Sequence, residues 1–263
     1  MKGAKLRVVV AGAGGRMGRA LIEQLRADKS LALAAALDAK GSPAAGTSIG
    51  GTRVGSDIGK AVASGDVLID FTRPEGTIEH LEACVRLGKA IVIGTTGFPE
   101  PLNKAIRRAG CKIPIAMSPN FAVGVNAVFK LAQIAAGILG DDFDVEIIEA
   151  HHRGKLDAPS GTALRLGEIV AGALKRDLAK TAVYGRHGDT GIRPATQIGF
   201  HAIRGGDIVG EHTVIFAGTG ERVELTIRSQ SRMTYALGAL RAAKFLRGKR
   251  PGLYDMSDVL GLN

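Results

Sequence analysis

The sequence predicts an α/β chain: a doubly wound parallel sheet with a smaller α+β domain after it. Three features point there. Over residues 5–117 short, almost uninterrupted apolar runs alternate with amphipathic stretches. The first of those runs ends in a cluster of glycines from which a helix opens. Beyond residue 120 the order changes, and the later apolar runs begin to alternate with polar residues, as in an open mixed sheet with one solvated face. Together these describe a Rossmann-like domain followed by a smaller α+β domain with an open mixed sheet.

The elements follow in order. A strand over residues 6–11 leads into a helix over 16–27 and a second strand over 31–37. Further strands are predicted over 67–71, 90–93 and 113–117, with helices filling the gaps. Runs with no polar alternation need cover on both faces, which helical crossovers of a parallel sheet supply. In the second part a helix over 123–139 precedes a strand over 143–150, a helix opening near Ser160, and strands over 211–217 and 222–229. A last helix over 234–246 places Leu237, Leu240 and Ala243 on one stripe and is expected to pack back on the first domain. The domains are therefore 1–122 with 233–263, and 123–232. Segments 41–55 and 186–194, rich in turn formers, read as loops.

A chain of 263 residues, 45% hydrophobic and 4% aromatic, can bury a real core. No run approaches the roughly 18 uninterrupted apolar residues of a membrane helix, and the apolar start runs into glycines instead of a cleavage site, so a cytoplasmic protein without a membrane partner is expected. The two cysteines, Cys84 and Cys111, make neither a disulfide framework nor a metal spacing, and both read as core residues. A net charge of +10 invites nucleic acid, yet the cations are dispersed and lack interleaved aromatics. Lys244, Arg247, Lys249 and Arg250 close a helix, where positive charge suits the dipole. An anionic small molecule and a phosphate-bearing cofactor account for the same charge, with no nucleic-acid partner.

Gly12, Ala13, Gly14, Gly15, Arg16 and Met17 link the first strand to the first helix, with Gly18 just inside it. Glycines there let the backbone turn sharply and approach a pyrophosphate, whose charge the helix amides stabilise. The spacing fits G-x-x-G-x-x-G better than the usual dinucleotide fingerprint, so context carries the reading. Asp38 ends the second strand, where such folds place an acid on the adenine ribose. That favours NADH; Lys40 nearby could attract a ribose phosphate and keeps NADPH open, and a plain strand-end turn is the bland alternative. Gly94, Thr95 and Thr96 end another strand at the same sheet edge, where a loop could lie along the nicotinamide.

The segment from Glu149 to Leu164 is the most unusual. It gathers His151, His152, Arg153 and Lys155 on one turn, then Pro159 and Ser160, which start a helix and leave the amides of Gly161 and Thr162 for a carboxylate. Three readings are open to the histidine pair: a metal site, which lacks a third ligand at a suitable spacing; a solvated loop; or an anion-binding, proton-donating site. In the last, a lysine beside other cations has its own pKa pushed down.

Taken in order, the Arg-Met-Gly turn, 71–77 (FTRPEGT), 94–97 (GTTG), Ser118-Pro119-Asn120-Phe121 followed by Gly124-Val125-Asn126, and 151–164 make the chain resemble the 4-hydroxy-tetrahydrodipicolinate reductases, formerly dihydrodipicolinate reductases, over nearly its whole length. The resemblance implies a two-domain, usually homotetrameric enzyme of lysine biosynthesis that reduces a small cyclic dicarboxylate with NADH or NADPH. Carried over by position, it implies His151 and Lys155 as proton donors, and His152, Gly161 and Thr162 as substrate contacts. Residues 12–17, Asp38, Gly94, Thr95, Thr96, Ser118, Pro119, Asn120 and Phe121 would line the cofactor, and no metal is implied. Two departures stand out: Gly154 where some relatives have a third histidine, and Ala39 where others have arginine. A thiol-dependent semialdehyde dehydrogenase would need a placed cysteine, which neither Cys84 nor Cys111 provides. A nucleotide-sensing regulator would have no use for paired histidines beside an anion cradle.

Overall fold

The computed structural model describes residues 4–262 and divides the chain into two compact units, Met1–Val123 with Arg232–Asn263, and Gly124–Ser231. The first unit is built on an eight-stranded sheet in the order β13-β7-β6-β5-β1-β2-β4-β3. Its strands are β1 (Leu6–Ala11), β2 (Leu31–Leu37), β3 (Ser48–Ile49), β4 (Thr52–Gly55), β5 (Val67–Asp70), β6 (Ala90–Ile93), β7 (Pro114–Met117) and β13 (Gly252–Tyr254). Every neighbouring pair is parallel except β3 with β4. The helices are α1 (Arg16–Ala27), α2 (Ile58–Ser64), α3 (Pro74–Leu87), α4 (Glu100–Gly110), α8 (Met233–Leu246) and α9 (Met256–Leu260).

β1 shows why the sheet is doubly wound. Val8 and Val10 face a core that also takes Leu21, Ile22 and Leu25 of α1 and the buried face of α8, whereas Val9 and Ala11 face a second core shared with α2, α3 and α4. Side chains alternate across a strand, so one uninterrupted apolar run feeds two cores. Small residues bring α8 close: Ala236, Ala239, Ala242 and Ala243 are buried with Leu240 and Leu246, and a Cβ on Gly238 would fall 1.7 Å from the Phe121 carbonyl oxygen. Of the expected stripe Leu240 and Ala243 are buried in this core, whereas Leu237 is 49% exposed.

The second unit holds a five-stranded mixed sheet, β12-β11-β8-β10-β9. Its strands are β8 (Asp144–His151), β9 (Ala182–Tyr184), β10 (Ile198–Arg204), β11 (Gly210–Ala217) and β12 (Arg222–Ser229), and its helices α5 (Val123–Leu139), α6 (Gly161–Ala173) and α7 (Leu178–Thr181). A single 3-10 turn, Gly140–Asp142, links α5 to β8. Val128, Ala132 and Ala136 of α5 and Ala163, Leu166 and Val170 of α6 pack on Val145, Ile147, Ile198, Phe200, Val214 and Phe216 of the sheet. By length and composition Val123–Asp142 could cross a membrane, but one face of it belongs to this core.

Parts of the fold differ from the sequence expectation, among them α7 and β9, which it lacked. The supposed loop 41–55 contains β3 and β4, joined by Gly50 and Gly51, both at positive φ (60° and 79°), as a two-residue hairpin requires. β10 was not anticipated because Gly199 and His201 interrupt its apolar pattern. β13 and α9 follow Pro251, where the last helix has already ended. Cys84 is core, its thiol pushed up to about 12 by burial, but Cys111 caps α4 and is exposed.

Candidate active site

In the first unit the carboxyl ends of the parallel strands gather one set of groups. Gly12 turns the chain out of β1 at φ 68°, a left-handed conformation that glycine adopts without strain. A Cβ on Gly18 would lie 2.1 Å from the Gly12 carbonyl oxygen, so α1 starts directly against the turn. Gly15 is its N-cap and supplies no side-chain acceptor, which leaves the first-turn amides of Arg16 and Met17 to an anion. Asp38, at the end of β2, accepts the amides of Gly14 (2.8 Å) and Ala39 (2.9 Å) and so braces the turn from beside it. A Cβ on Gly14 would strike both Asp38 and Ala44. A cavity of about 630 Å³ lies elsewhere, on α3 and α4, whereas the one beside this turn measures about 530 Å³ and is lined by Gly14, Gly15, Arg19, Asp38, Ala44 and Ile49. The smaller one has the chemistry: a glycine backbone, an uncapped helix end and a carboxylate, which fit a dinucleotide's phosphates and ribose.

Behind the turn lies Asp70, wholly buried at the end of β5. Its Oδ2 is 2.7 Å from His80 Nδ1, and its Oδ1 accepts from the amide (2.8 Å) and hydroxyl (2.6 Å) of Thr72. Thr77 donates to the Thr95 hydroxyl at 2.9 Å, which in turn reaches Asp70 at 3.4 Å. Gly94 donates its amide to the Asp70 carbonyl at 2.8 Å, and a Cβ there would be 2.1 Å from the Phe71 ring. Thr95 is thus turned inward, and Thr96 is the exposed member of the pair. In the next loop Ser118 donates to the Asn120 carbonyl (3.0 Å), Asn120 Oδ1 accepts the Ala122 amide (2.9 Å), and Phe121 lies edge-on to Phe71 at 5.6 Å. These side chains hold the loop itself, Phe121 as core; Pro119 is exposed.

In the second unit the apolar stripe of β8 changes chemistry at its end. Val145 and Ile147 face the helices, and the next two residues on that face are Glu149 and His151. Parallel pairing sets Arg204 of β10 beside His151, and antiparallel pairing sets His212 of β11 beside Glu149. Glu149, 1% exposed, binds four groups. Its Oε2 is 2.6 Å from His151 Nδ1, its Oε1 accepts the Ser160 amide at 3.1 Å, and the two Nη atoms of Arg204 reach the two oxygens at 2.7 Å each. Burial disfavours its charge, but Arg204 and His151 outweigh that and hold the carboxyl below its ordinary range. His151 has its pKa lowered, first by burial and then by the nearby charges of Lys155 and Arg204, with Glu149 opposing. The His151 and His212 rings meet edge-on at 5.1 Å, and Ser160 Oγ lies 3.0 Å from His212 Nε2.

Ser160 also caps α6 through its hydroxyl, which accepts the Ala163 amide at 3.2 Å, so Gly161 and Thr162 take the first two helical positions, where the helix itself supplies no acceptor. The preceding loop is tied to the turn after β10 by hydrogen bonds from Gly205 to the His151 carbonyl (3.0 Å) and from Arg153 to the Gly206 carbonyl (3.2 Å).

His151 ends β8, half-buried His152 and Lys155 lie on the loop that follows, and Gly161 and Thr162 open α6. Two details differ from the reading of the sequence. Lys155 is not surrounded by cations alone, since Asp157 accepts its ammonium at 2.8 and 2.9 Å. The guanidinium within the site is that of Arg204, while Arg153 is exposed. Sequence reasoning misses Arg204 and His212, which lie on β10 and β11 without a motif around them. The alternation of Ile198, Phe200 and Ala202 was the signal for β10.

Residues 6–121 match the family model described as "Dihydrodipicolinate reductase, N-terminus" and residues 124–260 that described as "Dihydrodipicolinate reductase, C-terminus". A 4-hydroxy-tetrahydrodipicolinate reductase of Aromatoleum aromaticum is 57% identical over 264 residues, covering 98% of this chain and 96% of its own. One of Dechloromonas aromatica is 56% identical over 263 residues, covering 97% and 98%. Among solved structures, the dipicolinate-bound dihydrodipicolinate reductase of Paenisporosarcina sp. TG-14 superposes with a TM-score of 0.80 at 25% identity, covering 97% of this chain and 98% of that one.

Proposed function

Because the chain belongs to the dihydrodipicolinate reductase family, we propose that it reduces 4-hydroxy-tetrahydrodipicolinate to tetrahydrodipicolinate with a nicotinamide dinucleotide, in the diaminopimelate route to lysine. The observation that carries this reading is the buried Glu149, which joins the His151 imidazole to the start of α6. A proton donor and an anion-binding helix end, held by one carboxylate, suit a dicarboxylate that must gain a proton on reduction.

The dinucleotide fits the first unit. The amides of residues 12–17 would hold its pyrophosphate, Asp38 its adenine ribose, and the loops at Gly94, Thr95 and Thr96 and at Ser118, Pro119, Asn120 and Phe121 its nicotinamide end. When bound, the reduced nicotinamide supplies the hydride. The second unit does the rest. The amides of Gly161 and Thr162 would hold one carboxylate of the ring, with His152 as a further contact. His151 in its protonated form would give its Nε2 proton to the reduced ring, with Lys155 as the second donor and a stabiliser of the negative charge that develops. Burial lowers the pKa of His151, and the substrate's two carboxylates would raise it on binding.

Asp38 followed by Ala39 favours NADH, since a carboxylate repels a ribose phosphate and no arginine follows to attract it. A homotetramer is supported by the sheet of the second unit, whose face away from α5 and α6 carries Ile148, Ile203 and Ile215. A cytoplasmic location agrees with this biosynthetic role.

The test generates the unstable substrate in place from pyruvate and aspartate semialdehyde with the upstream synthase, and follows nicotinamide absorbance with NADH and NADPH in parallel. Turnover with both and a higher kcat/KM for NADH is expected; preference for NADPH would overturn the reading of Asp38. His151→Ala should lower kcat by about 10²- to 10⁴-fold with NADH binding unchanged. Full turnover by that variant removes His151 as the donor, and cofactor binding without turnover in the native chain would leave a nucleotide-binding regulator.

A further inference from the structure

The groups around His151 come from every element packed on it: Glu149 on its own strand, Arg204 on β10, His212 on β11, and Lys155 with its partner Asp157 on the loop before α6. An ionised carboxylate can only accept hydrogen bonds. With Glu149 held ionised by Arg204, the proton on His151 Nδ1 stays in place, and the nitrogen that gains and loses a proton is Nε2. A Cβ on Gly210 would lie 3.1 Å from that Nε2, so the absence of a side chain leaves it open. The two oxygens of Glu149 are divided between the imidazole and the amide of Ser160, the cap of α6.

We propose that Glu149 and Arg204 act together as the positioning pair of the proton donor: Glu149 directs His151 Nε2 outward and ties it to the carboxylate-binding end of α6, while Arg204 limits how strongly Glu149 holds the proton. The proposal rests on the reading of His151 as donor. In the proton transfer the Nε2–H bond of the imidazolium breaks, its electron pair stays on Nε2, and the proton goes to the reduced ring. Neutral imidazole remains, with Nδ1–H still on Glu149, and solvent restores the proton. Without Arg204 the uncompensated carboxylate would retain the imidazolium and slow this release. Without the charge of Glu149 the imidazolium would seldom form. His212, held neutral by burial and by the charge of His151, adds no charge of its own at the ring edge and holds Ser160.

The pair makes opposite demands on two variants, which a merely structural role would not. In ¹⁵N-histidine NMR titrations of the full chain, native His151 should titrate at Nε2 with Nδ1 protonated throughout. Glu149→Gln should move that titration about one pH unit lower, and Arg204→Met about one unit higher, with Arg204→Lys restoring most of the shift. NADH affinity, measured by nicotinamide fluorescence, should stay within about twofold in all three as a check that the chain is folded. The falling limb of kcat/KM against pH should shift with each titration, down for Glu149→Gln and up for Arg204→Met. Shifts in the same direction, no shift, or titration at Nδ1 would overturn the pairing. Shifts in the NMR titrations that the kinetic limb does not follow would leave the pairing in place and remove His151 as the donor.

Discussion

Burial lowers the pKa of His212 from 6.5 to about 4, and the charge of neighbouring His151 acts in the same direction. The sign of the consequence follows from which state binds the proton. Below about 6.5 the unfolded chain takes up a proton that the folded one refuses, so stability present at neutral pH is lost as pH falls toward about 4, up to about 3 kcal/mol in all. Thermal midpoints measured across that window should fall more steeply for the native chain than for His212→Gln, which is expected to be less stable at neutral pH but flatter with acid. A parallel decline in both would show that other groups dominate acid unfolding. Other residues here act through what they omit. Gly18 leaves room for α1 to begin against the Gly12 carbonyl, and Gly94 leaves room for Phe71. The His151 pair, the glycines and Asp38 were all visible as residue types at suggestive spacings. The roles of Glu149, Arg204 and His212 were not, because each depends on a partner 50 or so residues away, such as the separation of 55 between Arg204 and Glu149.

The start of α6 joins structure and proposed binding in one element. Ser160 accepts the Ala163 amide and lies 3.0 Å from His212, while its own amide goes to Glu149. Ser160→Ala should cost about 1 kcal/mol of stability through the lost cap. It should also raise KM for the dicarboxylate severalfold and leave KM for NADH near its native value, which steady-state kinetics with each substrate varied in turn would check. An equal rise in both would mean that the serine supports the fold alone. The same helix illustrates what a local pattern conveys: Pro159 and Ser160 marked its beginning, and the structure starts it at Gly161. Strands β1 and β2 and helix α1 were legible to the residue, since continuous apolar runs and a helical stripe leave little choice. β4 was hidden by its turn-rich surroundings; it pairs with β2 at Ala36 and Leu37 on one side and with β3 across the turn at Gly50 and Gly51 on the other.

Over the whole molecule a net charge of +10 meets two anionic reactants. Raising ionic strength from about 0.05 M to about 0.5 M should lower kcat/KM several-fold while kcat changes little, because screening weakens encounter and binding more than it alters a desolvated site. A salt-independent kcat/KM would place the excess charge away from the route of approach. By itself the sequence determined the α/β class, the glycine turn proposed to hold the nucleotide and the segment proposed to bear the donor, because periodicity, glycine and helix-capping signals are local and act within a few residues. Which guanidinium stands in the site, which histidine is kept neutral and which nitrogen of His151 is free were decided only by the tertiary structure. Those depend on strand register, β10 and β11 being laid against β8 so that Arg204 falls beside His151 and His212 beside Glu149, and on the burial that gives those charges their force.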